Sequence, residues 1–304
     1  MNAVYFKKTL ILFVILVTGF LALRELDVED HLFDWYLEQT TSETTREESI
    51  WLPDYHVVID AMVLEGIEDD ASGITWSPLT HSLFIVLNGI NQVVELSNNG
   101  DVLRRIPMKG FRDVEAITWV GGNHFVVADE REQSLIQLTI TPNTESLKKD
   151  DFPSVTLGVD AGDNKGFEGV AWDLENDSIF VVRERDPMRL YKVAGLTNPS
   201  QPPVISIEKS DALSEAAKAY NNDLSGLHYD QKSGHLLVLS HESRLLTEVN
   251  SNGEQLSFLE LDTGWHGLKA FIPQAEGVTM DDDGNIYILS EPNLFYKFSR
   301  NTET

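Results

Sequence analysis

A short motif that recurs five times constrains this chain more than any other feature. One copy is Phe167-Glu168-Gly169-Val170-Ala171-Trp172-Asp173. The others are Ser72-Gly73-Ile74-Thr75-Trp76-Ser77, Glu115-Ala116-Ile117-Thr118-Trp119, Ser225-Gly226-Leu227-His228-Tyr229-Asp230 and Glu276-Gly277-Val278-Thr279-Met280-Asp281. Each sets Ser or Glu before a residue with little or no side chain, then an alternating apolar run, then a turn. The small residue falls at 73, 116, 169, 226 and 277, at intervals of 43, 53, 57 and 51. A period of roughly 40–50 residues with several short strands per unit is a β-propeller signature, not that of a doubly wound sheet.

Each unit reads as strand, turn, strand, turn, strand. In the first, the strands are 73–76, 82–87 and 92–96, with a fourth at 102–106 after Asn98-Asn99-Gly100-Asp101. The Asn-Gly pair accepts the positive φ of a tight hairpin, and it recurs as Asn252-Gly253 between 245–249 and 256–261. Further fourth strands are expected at 155–158 and 204–207. The fifth unit offers 278–280, 286–289 and 294–298 but no fourth strand. Tyr55-His56-Val57-Val58-Ile59-Asp60 is strand-like and has no repeat of its own, so it is expected to complete that blade and cover its edge. The expectation is an all-β fold: a five-bladed β-propeller of four-stranded antiparallel blades over 54–304, closed by an N-terminal strand. Long insertions fall at 141–165, at 197–222 (with a helix expected over 212–220, capped by Asp211) and at 262–275, which holds Trp265, His266 and Phe271.

Ahead of the repeats, Lys7 and Lys8 precede an uncharged, mostly apolar run at 9–23 that ends at Arg24. Leu21-Ala22-Leu23 is a poor cleavage site, so residues 1–24 are read as an uncleaved transmembrane signal anchor. Residues 25–53 are acidic and rich in Thr and Ser, and read as a tether with a short amphipathic helix at 31–37. Basic residues before the span and acidic ones after it place the propeller in the periplasm, held by one pass through a bacterial inner membrane. With 49 acidic against 23 basic residues and a net charge of −26, nothing here neutralises a phosphate backbone, which excludes nucleic acid as a partner. There is no cysteine, and so no disulfide, thiolate zinc site or thiol nucleophile.

The first strand of a propeller blade lines the central channel. Glu115, Glu168 and Glu276 share one repeat position with Ser72 and Ser225. Fourteen to sixteen residues later comes a second polar position, read as Asn88, Asp129, Glu184, His241 and Glu291. Equivalent positions in a radial fold converge on the axis, so six carboxylates (Glu115, Glu168, Glu276, Glu184, Glu291 and Asp129) are expected to share one pocket. At close range they repel unless a cation or shared protons compensate. Hard oxygen donors without thiols point to Ca²⁺. The competing reading is that each Glu accepts hydrogen bonds from a neighbouring blade's backbone. Asp281-Asp282-Asp283-Gly284-Asn285 lacks the frame of an EF-hand and reads as a hairpin turn. Trp76, Trp119 and Trp172 share a repeat position and read as packing between blades. No G-x-S-x-G, Walker loop or dinucleotide fingerprint is present.

Three stretches resemble the SdiA-regulated domain family, the YjiK-like bacterial proteins. They are Asp223-Leu224-Ser225-Gly226-Leu227-His228-Tyr229-Asp230, Gly234-His235-Leu236-Leu237-Val238-Leu239-Ser240 with Glu242-Ser243-Arg244, and Glu276-Gly277-Val278 running on to Tyr287-Ile288-Leu289-Ser290-Glu291-Pro292-Asn293. The resemblance spans roughly 55–298 and the N-terminal anchor. It implies a five-bladed propeller distantly similar to NHL-repeat propellers, with bound calcium and no established catalytic activity. Its ligand set does not follow from the resemblance. His241 stands where a carboxylate would strengthen a metal ring. Two functions are therefore expected. The first is a membrane-anchored extracytoplasmic calcium-binding module for an unknown small-molecule or protein ligand. The alternative is a calcium-dependent hydrolase of the propeller lactonase, esterase or phytase-like type, with His228, His241 or His266 as base.

Overall fold

The apolar runs between the turns are too short for helices and are buried on both faces, which suits strands stacked face to face. The computed structural model describes residues 36–300 except 38, 69, 159–165, 186 and 198–204. The anchor read at 1–24 lies outside the described residues, as does most of the helix read at 31–37. Among the described residues no helix is long and apolar enough to cross a membrane.

Five sheets carry the chain. Strand β1 is Tyr55–Val63. The first blade is β2 (Ala71–Ser77), β3 (Ser82–Leu87), β4 (Gln92–Leu96) and β5 (Val102–Lys109). The second is β6 (Val114–Trp119), β7 (His124–Asp129) and β8 (Ser134–Thr139), then, after the two-residue β9 (Leu147–Lys148), β10 (Ser154–Thr156). The third is β11 (Phe167–Asp173), β12 (Ser178–Arg183), β13 (Arg189–Ala194) and β14 (Ser206–Lys209). The fourth is β15 (Gly226–Asp230), β16 (His235–Ser240), β17 (Leu245–Val249) and β18 (Gln255–Glu260). The fifth is β19 (Ala275–Met280), β20 (Ile286–Ser290) and β21 (Leu294–Arg300), with β1 antiparallel to β21 as its outermost strand. Pairing within the blades is antiparallel throughout. The first blade also departs from four strands, since β9 adds to it parallel to β5.

Side-chain alternation explains how the blades stack. On β7, Phe125 and Val127 pack toward the first blade, with Phe84 and Phe125 rings 4.7 Å apart, while Val126 and Ala128 pack toward the third. Five apolar clusters result, one in each gap between neighbouring blades, the fifth blade packing on the first through Tyr287, Leu289 and Phe295. At the axis the inner strands β2, β6, β11, β15 and β19 are neighbours in cyclic order. The small residue of the motif permits this approach. A Cβ on Gly73 would lie 2.7 Å from the Ala116 backbone, one on Gly169 3.0 Å from the Leu227 nitrogen, and one on Gly277 2.5 Å from the Ser72 carbonyl.

Two details differ from the sequence reading. The helix at 211–220 is capped by Ser210, whose hydroxyl accepts from the Leu213 N–H, and Asp211 sits inside the first turn. Residues 50–52, placed in the tether by composition, are buried, and the compact unit begins at Glu47. Ile50 and Trp51 donate their backbone N–H groups to the Glu248 carboxylate at 2.8 and 3.0 Å, and Leu52 donates to Ser257 Oγ at 3.0 Å. Glu248 is fully buried, and its Oε1 also lies 2.7 Å from His235 Nδ1.

Gly277→Ala should lower stability by about 1–3 kcal/mol through overpacking. At roughly 2–4 °C per kcal/mol for a domain this large, a thermal melt will show the drop. An unchanged melting temperature would mean that the inner strands have slack at the axis.

Candidate functional site

The polar residue of each motif sits where pairing between the first and second strands of a blade slips. The register jumps from Ala71 to Ile74, from Val114 to Ala116, from Phe167 to Gly169 and from Ala275 to Gly277. In the fourth blade Ser225 N–H and the Gly226 pairing both fall on Leu239. A bulge leaves its extra residue unpaired and re-aims its side chain. Ser72, Glu115, Glu168, Ser225 and Glu276 are the residues so placed, at the N-terminal ends of the inner strands.

The residue immediately after each second strand supplies the next layer: Asn88, Glu130, Glu184, His241 and Glu291. Asp129 is thus a correction. As the last residue of β7 it is fully buried and turned away from the channel, accepting from the Arg112 and Glu132 N–H groups and from Lys149 Nζ at 3.2 Å. Its counterparts Ser240 and Ser290 are likewise fully buried, bonding to Asp223 and to the Pro273 carbonyl. A step of one residue along a strand reverses the side chain, so Glu130 takes the role expected of Asp129.

The tightest carboxylate group lies in the second blade. Asp113, Glu115 and Glu130 each place an oxygen within 4.8 Å of the others'. The Glu130 N–H donates to the Asp113 carbonyl at 2.7 Å, which draws the two connecting loops together. Asn88 donates its side-chain amide to Glu115 Oε1 at 2.6 Å, and the Gly166 N–H donates to Glu130 Oε1 at 2.9 Å. Asp113 also pairs with Arg131 at 2.9 Å. Of these three acids only Glu115 was expected, and Asp113, two residues before it, was missed.

The other expected acids stand around this group. Burial pushes Glu168 well above the usual carboxylate range, and the charges of Glu115, Glu130, Glu184 and Glu276 add to the effect. Burial likewise raises Glu115 to about 7, against the Asn88 hydrogen bond, and raises Glu276 to about 8, against the His241 charge. Glu130 is raised by burial and by Asp113. Glu184 is paired with Arg185, which also holds Glu242 at 2.5 Å. Glu291 accepts from the Gln274 amide at 3.3 Å and adds to the charge felt by Glu276.

Opposite the acidic group, His241 Nδ1 lies 2.7 Å from Asp223 Oδ2 and 3.7 Å from Glu276 Oε1. Asp223 raises the His241 pKa. Burial raises Asp223, but His241 and the Ser240 hydroxyl outweigh it and hold that carboxyl low. His266 belongs elsewhere: it bridges Glu260 at 3.1 Å and the Tyr55 carbonyl at 2.9 Å. Asp281 closes a hairpin turn by accepting from the Asp283 and Asn285 N–H groups, as its composition suggested.

The raised carboxyls carry a stability consequence. The folded state holds protons on Glu115 and Glu276 that the unfolded chain releases near pH 4.5. The stability they contribute is complete below that pH and is lost as pH rises through about 7 and 8. In chelator, the melting temperature should therefore fall between pH 6 and pH 8.5, and Glu276→Gln should flatten the slope. A melt that rises across that interval would show that these carboxyls are not desolvated.

The family model for SdiA-regulated proteins matches residues 47–299. Among solved structures, a luciferin-regenerating enzyme is similar, 13% identical with a TM-score of 0.52, over 81% of this chain and 96% of its own. Regucalcin from Agrobacterium tumefaciens, a calcium-binding protein, is 10% identical with a TM-score of 0.51, over 80% of this chain and 94% of its own. A gluconolactonase from Xanthomonas campestris is 10% identical with a TM-score of 0.51, over 86% of this chain and 94% of its own. At such identities the likeness is one of fold.

Proposed function

We propose that this chain, which belongs to the SdiA-regulated family, is a membrane-anchored extracytoplasmic propeller that binds Ca²⁺ at its acidic channel mouth and serves as a binding module. The observation that carries the reading is the convergence of Asp113, Glu115 and Glu130 oxygens within 4.8 Å beside the buried Glu168. Their donor chemistry fits the ion: hard carboxylate oxygens, several negative charges and no thiol. Asp113, Glu115 and Glu130 would hold it, Asn88 orients Glu115, and Glu168 and Glu276 supply adjacent charge. A cation there favours the ionised form of acids that burial otherwise keeps protonated. The anchoring rests on residues 1–24, with Lys7 and Lys8 before an apolar run and acids after it, and it puts the propeller in the periplasm. The ligand of the module is a small molecule or protein that reaches the mouth.

A second reading, a calcium-dependent hydrolase of the lactonase, esterase or phytase-like type, is favoured by the His241–Asp223 pair at 2.7 Å. Bound calcium supplies polarisation of a carbonyl or phosphoryl oxygen. Asp223 at 2.7 Å and Glu276 at 3.7 Å both favour the imidazolium of His241, which can then carry a proton.

Thermal melts of the full-length chain with and without Ca²⁺ test the first reading. At a hundredfold excess over Kd, Ca²⁺ should stabilise by about 2.7 kcal/mol, a rise of roughly 5–10 °C. The shift should vanish in a Glu115→Gln/Glu130→Gln double variant and survive in Asp129→Asn, corrected for any lower baseline. No calcium response in the parent chain would remove the cation site. Turnover in a lactone and phosphoester screen that needs Ca²⁺ and is lost in His241→Ala would establish the hydrolase, and a melting shift without turnover would leave the binding module.

A further inference from the structure

The C-terminal ends of the inner strands carry a ring of their own. Four residues on from Ser72, Glu115, Glu168, Ser225 and Glu276 stand Trp76, Trp119, Trp172, Tyr229 and Met280. Four steps along a strand cover about 13 Å, so this ring lies well away from the carboxylates. All five residues line one cavity of about 700 Å³. That volume falls within the roughly 300–1,000 Å³ typical of small-molecule sites. Its far wall is the N-terminal segment from Glu47 to Ile50, held in place by the Glu248 clasp.

What this ring presents is aromatic and soft, with its hydrogen-bonding groups already spent or buried. Trp76 and Trp172 pack between blades, and their indole nitrogens each expose less than 1 Å². Trp119, which meets Trp172 edge-on at 5.7 Å between ring centres, gives its indole N–H to the Gly122 carbonyl at 2.9 Å. The three indoles therefore offer the cavity no free donor. The neighbouring Thr75 and Thr279 hydroxyls accept from the backbone N–H groups of Trp119 and Trp76 at 3.0 and 3.1 Å. Trp119, Tyr229 and Met280 are only partly buried and are the accessible members of the ring. Indole and phenol faces carry negative π density, and a thioether is polarisable, so these surroundings attract a weakly hydrated cation.

The rim supplies charge of the matching sign. Glu47, Glu48, Asp230, Asp281, Asp282 and Asp283 border the cavity, against Lys232 and an Arg300 already paired with Asp54 at 3.3 Å. The two histidines of the lining do not offset them. Burial pushes His228 down to about 4, so it is neutral near pH 7, and His235 Nδ1 is taken up by Glu248 at 2.7 Å. A cleft with one dominant sign of charge concentrates counter-ions. The carboxylates are spread along the rim: among the described residues, the acids that converge three together within 4.8 Å are Asp113, Glu115 and Glu130 at the other mouth. A metal ion needs such converging oxygens, whereas a diffuse negative field above aromatic walls suits a large cation with a carbon surface. An anion meets the carboxylates, and a neutral molecule gains nothing from the excess charge. We propose that the aromatic end of the channel is a binding site for a small organic ammonium ion, separate from the carboxylate mouth.

The test is a titration of the full-length chain with choline and benzyltrimethylammonium, followed by indole fluorescence and saturation-transfer NMR. Neohexanol, the uncharged carbon isostere of choline, and glucose are the neutral comparisons. EGTA is present throughout, so the outcome does not depend on the calcium reading of the other mouth. At least one ammonium ion should saturate, with neohexanol and glucose at least tenfold weaker. Trp119→Leu, which keeps apolar bulk but removes the ring, should weaken binding tenfold or more. Asp282→Asn/Asp283→Asn, at two exposed positions, should weaken it several-fold with a parental melt. Added NaCl should weaken it as well by screening the rim. Saturation by neither ammonium ion, equal or tighter binding of a neutral comparison, or affinity indifferent to both variants would overturn the proposal.

Discussion

Backbone contact at the axis is the constraint on which the rest of the molecule depends. Five inner strands meet closely enough that Gly277 lies against the Ser72 carbonyl and Gly73 against Ala116. With no room for side chains at those points, the neighbouring residue of each strand must bulge out of its ladder. The bulged residues are Glu in three blades and Ser in two, so tight packing and polar lining have one origin. Threonine hydroxyls serve the same closeness further along, Thr75 accepting from the Trp119 backbone N–H and Thr279 from the Trp76 backbone N–H across blade boundaries.

That geometry creates an electrostatic conflict, and the conflict is the functional signal. Glu168 is surrounded by Glu115, Glu130, Glu184 and Glu276, and a packed wall keeps water from screening them. An acid that serves as mortar accepts backbone hydrogen bonds. Glu248 does this, clasping two N–H groups from the N-terminal segment. In the acidic group, Glu130 accepts one such bond, from Gly166. Buried carboxylates raised by burial and by one another's charge are the arrangement expected where a counterion completes a site.

The five-fold plan was legible because its signal repeats. A motif seen once would be a strand, and seen five times it defines an axis. The finer placement of the site was harder to read. A ring aligned to within a residue or two is accurate enough for a fold but not for a side chain, since one step along β7 separates the inward Glu130 from the outward Asp129. Counting from the end of each second strand, and not from the motif, would have selected Glu130. Asp113 and Asp223 were passed over because they precede the repeated motif, in loops with no periodicity to mark them. Residues 50–52 looked like tether because what buries them is Glu248, far along the chain. Trp76, Trp119 and Trp172 were read as packing between blades, and the inter-blade clusters and the Trp119–Trp172 contact bear that out.

The shared fifth blade has a consequence in time. Strand β1 is made long before its partner β21, in which Arg300 pairs with Tyr55. Contacts so distant in sequence form slowly. Until then β1 is an edge without a neighbour, the kind that recruits other chains. Two register slips and a left-handed Ala61 break its outline, which makes it a poor template for a stranger while it waits for β21.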